Sequence, residues 1–233
     1  MRTAHTPKRS RGYSMAEVGI TMAILAVAVL IAVPSLNRAS ANSELKDSAL
    51  ALDGGLSGTR GEAIRTGDVH LFFLFQDAEG NQLVDQNGDQ VPALMLNDGP
   101  PGSANQNCKV DAGEMVKPLS KEQMGMLAKV MGGTVAGGEF IGETSGGTVA
   151  AHSTFVDAAG NPATWVMFRP EGMPIAFDKD CNLGDPGSGA GGLYVKNEHR
   201  AYAVELSPMG TTRIINLNEN GEPMTPPEPP PVQ

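Results

Sequence analysis

Few residues of this 233-residue chain have the types and spacing that chemistry requires. The sequence lacks the Gly-x-Ser-x-Gly, His-Glu-x-x-His and Gly-x-x-x-x-Gly-Lys patterns that place nucleophiles, zinc ligands and phosphate-binding loops. His70, His152 and His199 are isolated from one another and from cysteines. We therefore predict no metal site and no cofactor, and we expect that the protein is not an enzyme.

Two further features could bind an ion or form a covalent bond. The run Asp-Gln-Asn-Gly-Asp at 85–89 is rich in oxygen ligands. Its glycine is misplaced for an EF-hand loop and no glutamate completes it, so the sequence favours a hairpin turn over a calcium site. Cys108 and Cys181 are a candidate disulfide. Such a bridge persists in an oxidising compartment, and a loop of this length contributes about 4 kcal/mol in the chain-entropy model.

The charge of the chain is acidic and unevenly distributed. Lys and Arg total 17 and Asp and Glu total 26, which gives a net charge of −9. This balance argues against a general nucleic-acid binder, which normally presents a basic face. Residues 1–12, in contrast, contain four basic residues and no acidic one.

An apolar run follows this basic segment. From Val18 to Val33 only Thr21 has a polar side chain, and Pro34 comes next. Residues 13–33 reach roughly 31 Å as a helix, just enough to cross a bilayer. The leading basic residues predict a cytoplasmic N-terminus and an outward-facing remainder. Pro34 is expected to kink the helix, because it lacks an amide donor.

Three interpretations of this region compete. One is an uncleaved membrane anchor, and another is a secretory signal peptide that is cleaved after Ala41, behind the small residues Ala39 and Ser40. The third rests on the run Gly-Tyr-Ser-Met-Ala-Glu at 12–17, which resembles the leader of type IV prepilins and favours this third interpretation. In that family the peptidase cuts directly after the glycine, and a glutamate is the fifth residue of the mature chain.

The prepilin resemblance implies roles for three residues. Cleavage falls between Gly12 and Tyr13, and the new N-terminus of Tyr13 is methylated. Glu17 pairs with the amine of Tyr13 and favours assembly into a filament, because a buried carboxylate is costly without a partner.

A second resemblance lies further along the chain. The run Thr-Arg-Gly-Glu-Ala-Ile-Arg-Thr-Gly at 59–67 resembles the end of the first helix in GspH/FimT minor pseudopilins and minor pilins. The run Phe-Arg-Pro-Glu-Gly at 168–172 and the strands around Gly210 resemble the head of the same group more loosely. Helical periodicity supports the helix, with apolar residues at gaps of 4, 3, 4 and 7: Leu45, Ala49, Leu52, Leu56 and Ala63.

After Gly67, a helix-stop signal, the pattern indicates strands. The strand candidates are Val69 to Phe75, Gln82 to Val84, Val91 to Leu96, Ala163 to Arg169, Gly192 to Lys196, Ala201 to Leu206 and Thr211 to Leu217.

The expected fold class is therefore α+β and type IV pilin-like, with a long N-terminal helix packed on a β-rich periplasmic head. That helix has a transmembrane half and an amphipathic half. The predicted segments are a leader (1–12), a transmembrane or filament-core segment (13–34), an amphipathic continuation (35–67), a head (68–220) with an insertion around 97–154, and a Pro-rich tail (221–233).

The function that the resemblance implies is a minor pilin or pseudopilin. A prepilin peptidase and N-methyltransferase would process it at the inner membrane, as a single-pass precursor with a periplasmic head. An assembly platform would then place it with other major and minor pilins, near the tip of a type IV pilus or a type II secretion pseudopilus. The alternatives are a pilus-associated adhesin or DNA-uptake receptor, although nucleic acid is disfavoured by charge, and a secreted globular protein cut after Ala41.

Overall fold

The computed structural model describes residues 15–85, 87–111, 116–119, 153–196 and 200–217. The chain forms two compact units, Met1–Ala41 and Asn42–Gln233. Helix α1 (Met15–Thr66) contributes its first part to the first unit and its remainder to the second. The predicted leader and the Pro-rich tail lie outside the described residues.

The membrane-related predictions are wrong. Among the residues described, no helix combines the length and the apolar composition that a membrane crossing requires. This overturns the transmembrane half of the predicted pilin-like fold class and the single-pass inner-membrane location, and the prepilin-leader description loses the span that it presupposed. The apolar run alone is shorter than the roughly 20 residues of a spanning helix. The prediction reached that length by adding residues 13–17, of which Tyr13 and Ser14 are not described and Glu17 is a carboxylate.

The second part of α1 buries one face. The helix ends at Thr66, and Gly67 follows with a φ of 76° and donates its N–H to the carbonyl of Ala63 at 3.0 Å. This is the left-handed C-terminal cap that glycine favours. The predicted helical face is confirmed, because all five of its residues are fully buried: Leu45, Ala49, Leu52, Leu56 and Ala63.

Five strands form an antiparallel sheet in the order β3-β2-β1-β4-β5. The central strand is buried along its whole length, which fits its apolar run at 71–74. A Cβ built on Gly55 of α1 would lie 2.8 Å from the Phe72 ring, so glycine lets the helix approach this sheet closely. The strands are β1 (His70–Leu74), β2 (Ala93–Asn97), β3 (Val116–Pro118), β4 (Trp165–Phe168) and β5 (Pro174–Ile175).

The structure differs from the predicted strands at β1, β3 and β5. β1 ends at Leu74 because Phe75 adopts a φ of 66°, which turns the chain out of the strand. β3 lies within the predicted insertion and pairs with β2, so part of that insertion belongs to the sheet. β5 has two residues, too few to produce a sequence pattern.

Three further strands form a second antiparallel sheet, in the order β6-β7-β8. Its inner face includes the buried Leu193 and Val204, and Thr212 on this face shares a hydrogen bond of 2.7 Å with Ser57 of α1. Tyr194 and Ala203 are paired in register on the outer face. The strands are β6 (Gly191–Lys196), β7 (Ala201–Leu206) and β8 (Thr212–Leu217).

Six tight turns share one hydrogen-bonding pattern. In each five-residue turn, the first N–H donates to the fifth carbonyl and the fourth N–H donates to the first carbonyl. The fourth residue always has a positive φ and is glycine in five turns and Cys181 in the sixth. In four turns an aspartate leads, and its Oδ1 accepts the third and fifth amides. The turns are 77–81, 85–89, 157–161, 169–173, 178–182 and 207–211.

The turn at 85–89 is the run for which the sequence favoured a hairpin turn over a calcium site. The Oδ1 of Asp85 accepts the amides of Asn87 and Asp89 at 2.9 Å each, so this oxygen is bonded within its own turn. Val84 and Gln90, on either side of this run, form an antiparallel bridge, so the run is a hairpin turn.

Candidate assembly site

The residues that the sequence singled out fall into separate places. Gly12 and Tyr13 lie outside the described residues, as do His152 and His199. Glu17 and Pro34 lie inside α1, and Glu17 is exposed. Cys108 and Cys181 form a disulfide with a Cα–Cα distance of 5.4 Å. In the described ranges, no group of three or more His, Cys, Asp or Glu side chains could hold a metal ion.

The first unit presents an unusually apolar helix. We call residues 15–40 of α1 the apolar segment. Every side chain described in it is exposed. The large apolar side chains among them are Met15, Val18, Ile20, Met22, Ile24, Leu25, Val27, Val29, Leu30, Val33 and Leu36.

These side chains surround the helix instead of forming a stripe. At 3.6 residues per turn, the exposed side chains of Val18, Ile24 and Leu30 point in three directions 120° apart. A helix that is apolar on all sides is normally buried on all sides. An exposed apolar surface of this extent indicates an interaction site, and one flat partner would cover only one side of it.

In the second unit, Arg60 joins α1 to both sheets. Its Nε donates to the carbonyl of Gly172 at 3.0 Å and its Nη2 to the carbonyl of Met209 at 3.5 Å. Gly172 lies in the turn between β4 and β5, and Met209 in the turn between β7 and β8. The two turns touch, since a Cβ built on Gly210 would lie 2.0 Å from the Gly172 carbonyl oxygen. We call Arg60, Gly172, Met209 and Gly210 the Arg60 junction.

The Arg60 junction brings together the three segments that carry the GspH/FimT resemblance. Arg60 belongs to the run at 59–67, Gly172 ends the run at 168–172, and Gly210 lies between the two last strands. Sequence reasoning did not predict that these distant segments would lie in contact. Arg60, in the helix segment, donates to carbonyls in the other two segments.

A buried carboxylate holds the loop that carries one end of the disulfide. Asp98 follows β2 and is fully buried. Its Oδ1 accepts the amide of Asn107 at 3.2 Å, and both its oxygens accept the amide of Cys108 at 3.2 Å. Burial raises the pKa of Asp98 to about 6, and the two amides partly oppose that shift because they stabilise the charged form.

Asp98 makes the stability of the protein pH-dependent. Its pKa is about 6 in the folded chain and 3.8 in the unfolded chain. The folded state therefore holds more protons between these values, and stability falls as the pH rises through this window. We expect a loss of up to about 3 kcal/mol in the wild type, at 1.36 kcal/mol per pKa unit, and none of this loss in Asp98→Asn. Urea unfolding at a series of pH values between these two pKa values measures the difference.

Asp178 supplies the control for this measurement. Hydrogen bonds from Asn182 lower the pKa of Asp178 below its ordinary value, so its contribution is lost as the pH falls. Asp178→Asn should therefore remove a dependence of the opposite sign, at more acidic pH. If the stability difference between wild type and Asp98→Asn stays constant across the window, the role assigned to Asp98 is wrong.

Sequence reasoning missed Asp98 and the hydrogen-bonding pattern that the six turns share. A signal for the turn was present, because Asp-x-x-Gly-Asn occurs at 77–81 and again at 157–161. No comparable signal marked Asp98, whose contacts lie in an irregular loop. Comparison of the chain with family models, with curated proteins and with solved structures finds no match.

Proposed function

We propose that this protein is a subunit of a helical filament of the minor pilin or pseudopilin type, in which the apolar segment packs among the helices of neighbouring subunits. The observation that carries the proposal is the exposure of large apolar side chains on all sides of that segment. Burial of this apolar surface between subunits contributes about 25 cal/mol per Å², which drives assembly.

The need for several neighbours distinguishes a filament from a simple dimer. A second helix covers one ridge of its partner, and the side chains on the remaining sides would stay in water. Three or more surrounding helices bury them all. A filament core provides that environment for every subunit, because each helix is surrounded by the helices of its neighbours and helps to surround each of them.

Glu17 has a place in this proposal that comes from the prepilin resemblance. Within the apolar segment a carboxylate opposes burial unless it has a charged partner. Cleavage after Gly12 creates an amine on Tyr13, which can pair with the Glu17 of its own or a neighbouring subunit. Processing by a prepilin peptidase and methylation of Tyr13 remain predictions about residues outside the described ranges.

Filament incorporation tests the proposal directly. We expect Ile24→Asp in the full chain to reduce the fraction recovered in sheared filaments by at least tenfold, because the helix must then bury a second carboxylate without a partner. Glu17→Gln should reduce incorporation as well, by removing the charge that pairs with Tyr13. Immunoblots of filament and cell fractions give the ratio.

The matched control is Met209→Asp, which places the same carboxylate on a side chain that is 68% exposed in the second unit. It should leave incorporation unchanged, and thermal melting should show that all three variants fold. Equal incorporation of Ile24→Asp and Met209→Asp would contradict the filament proposal.

The secreted-protein alternative has one observation in its favour. Its predicted cut after Ala41 coincides with the boundary between the two compact units, Met1–Ala41 and Asn42–Gln233. An intact mass of the mature protein separates the candidates, because a start at a methylated Tyr13 retains the apolar segment. A start at Asn42 removes that segment and would rule out the filament proposal.

A role in DNA uptake is disfavoured by the surroundings of Lys109, one of the lysines that flank the predicted insertion. Lys109 pairs with Glu79 and lies near Asp111 and Asp180, so its charge is locally offset. Lys117, which also flanks the insertion, is exposed, and Lys121 and Lys129 lie outside the described residues. We therefore keep filament assembly as the proposed function.

A further inference from the structure

A cleft of about 430 Å³ opens on the outer face of the three-stranded sheet, beside the turn at 207–211. Its volume lies within the range of small-molecule sites. Strands β6, β7 and β8 all contribute to its lining, together with Thr154 and the turn residues Ser207, Pro208 and Thr211. Arg60 is not among the residues that line the cleft.

The floor and one wall of the cleft are formed by Gly192 and Tyr194. A Cβ built on Gly192 would lie 3.0 Å from the Cε2 atom of Tyr194 and 3.2 Å from its hydroxyl oxygen. The tyrosine ring therefore leans over the glycine instead of standing away from the sheet. This arrangement gives the cleft an aromatic surface with a polar tip, and it requires the absence of a side chain at 192.

Opposite charges line another wall. Arg213 donates from Nε at 2.8 Å and from Nη2 at 2.6 Å to one oxygen of Glu205. The arginine side chain is 72% exposed, and exposed ion pairs of this kind are weak. A ligand can therefore replace part of the pair at small cost. Because the two charges cancel, the cleft selects neither an anion nor a cation.

Hydroxyl groups complete the polar lining. Ser207 Oγ and Thr211 Oγ1 are hydrogen-bonded to each other at 2.7 Å at one border of the cleft. The Oγ1 of Thr154 accepts the amide of Gly192 at 2.7 Å at another border. The cleft thus combines one aromatic ring with several donors and acceptors and no net charge.

A peptide strand does not fit this position. Strand addition needs a free sheet edge, but the amide of Thr154 already donates to the carbonyl of Gly192 at 2.8 Å, and Ser153 bridges to Leu193. The edge of β6 next to the cleft is therefore occupied by the chain itself. Recognition here must come from side chains.

We propose that this cleft binds a neutral saccharide unit, with one face of a sugar ring on Tyr194 and its hydroxyls bonded by Glu205 and Arg213. An aromatic ring accepts the C–H face of a sugar, whereas paired carboxylate and guanidinium groups accept from and donate to neighbouring hydroxyls. This role goes beyond filament assembly and does not depend on it.

Titration of the full chain with neutral and acidic sugars tests the proposal. The probes are glucose, galactose, N-acetylglucosamine and their β-linked disaccharides at millimolar concentration, with glucuronic acid as the charged comparison. We expect saturation-transfer NMR to detect at least one neutral probe. Tyr194→Ala should weaken its binding at least tenfold, and Gly192→Val should do the same by filling the floor.

Met209→Ala is the control, because this exposed residue lies in the adjacent turn but does not line the cleft. It should bind the probe as the wild type does, and thermal melting should show that every variant folds. Absence of signal with all neutral probes would overturn the proposal. Preferential binding of glucuronic acid, or binding unaffected by both Tyr194→Ala and Gly192→Val, would overturn it too.

Discussion

Replacing Gly210 with alanine should lower the free energy of unfolding by about 3 kcal/mol, of which about 1 comes from the left-handed backbone and about 2 from overpacking. Gly210 has a φ of 79°, and a Cβ on it would lie 2.0 Å from the carbonyl oxygen of Gly172 and 2.8 Å from the Nε of Arg60. The methyl group would push the two turns apart and break the hydrogen bond between Arg60 and Gly172. Urea unfolding of the full chain measures the change.

Gly80→Ala is the matched control for this substitution. Gly80 is the fourth residue of a turn with the same hydrogen bonds and has a φ of 86°, but no atom lies within 4 Å of its built Cβ. This variant carries the backbone penalty alone, about 1 kcal/mol. If both variants lose the same stability, the close contact at the Arg60 junction is not what constrains Gly210.

The comparison of Gly80 with Gly210 also shows how far the sequence can predict this fold. Local patterns predicted what local physics determines. The buried face of α1 follows from helical periodicity, its end follows from Gly67, and β7 has the predicted bounds Ala201–Leu206. In these segments the side-chain pattern and the backbone preference agree, so neighbours in sequence are sufficient.

Long-range contacts were beyond the sequence. Arg60 acquires its role from carbonyls 112 and 149 positions away, and a backbone carbonyl has no sequence signature. β3 has three residues and is held by its pairing with β2, not by its own pattern. The predicted membrane span failed for a different reason, because a marginal length was extended through residues that do not belong to the apolar run.

The candidate site was predicted in part. Sequence reasoning identified residues 18–33 as apolar and Glu17 as an unusual acidic residue beside them. It assigned this segment to a lipid bilayer. The sequence alone could not show that these side chains are exposed on all sides of the helix. It also could not show that no described helix meets the requirements of a membrane span. The cleft beside Tyr194 could not be predicted from the sequence, because its lining depends on the register of three strands.

Removing the disulfide should also have a large effect. Cys108 and Cys181 are 73 residues apart, and a bridge that closes such a loop stabilises the fold by about 4 kcal/mol in the chain-entropy model. We therefore expect the double variant Cys108→Ala/Cys181→Ala to lose about that much free energy of unfolding, since the unfolded chain regains the freedom of the loop. Urea unfolding without reductant, with the reduced wild type as a second reference, measures it.

The turn geometry adds a sharper test at Cys181. This residue is the fourth of its turn, with a φ of 59°, where the five related turns have glycine. A non-glycine residue pays about 1 kcal/mol in this conformation, and the bridge offsets that cost in the wild type. With the bridge removed, Cys108→Ala/Cys181→Gly should therefore be about 1 kcal/mol more stable than Cys108→Ala/Cys181→Ala, the reverse of the usual effect of glycine on an unfolded chain. If the alanine variant is the more stable, position 181 does not keep its positive φ once the disulfide is gone, and the bridge, not the local sequence, maintains the sixth turn.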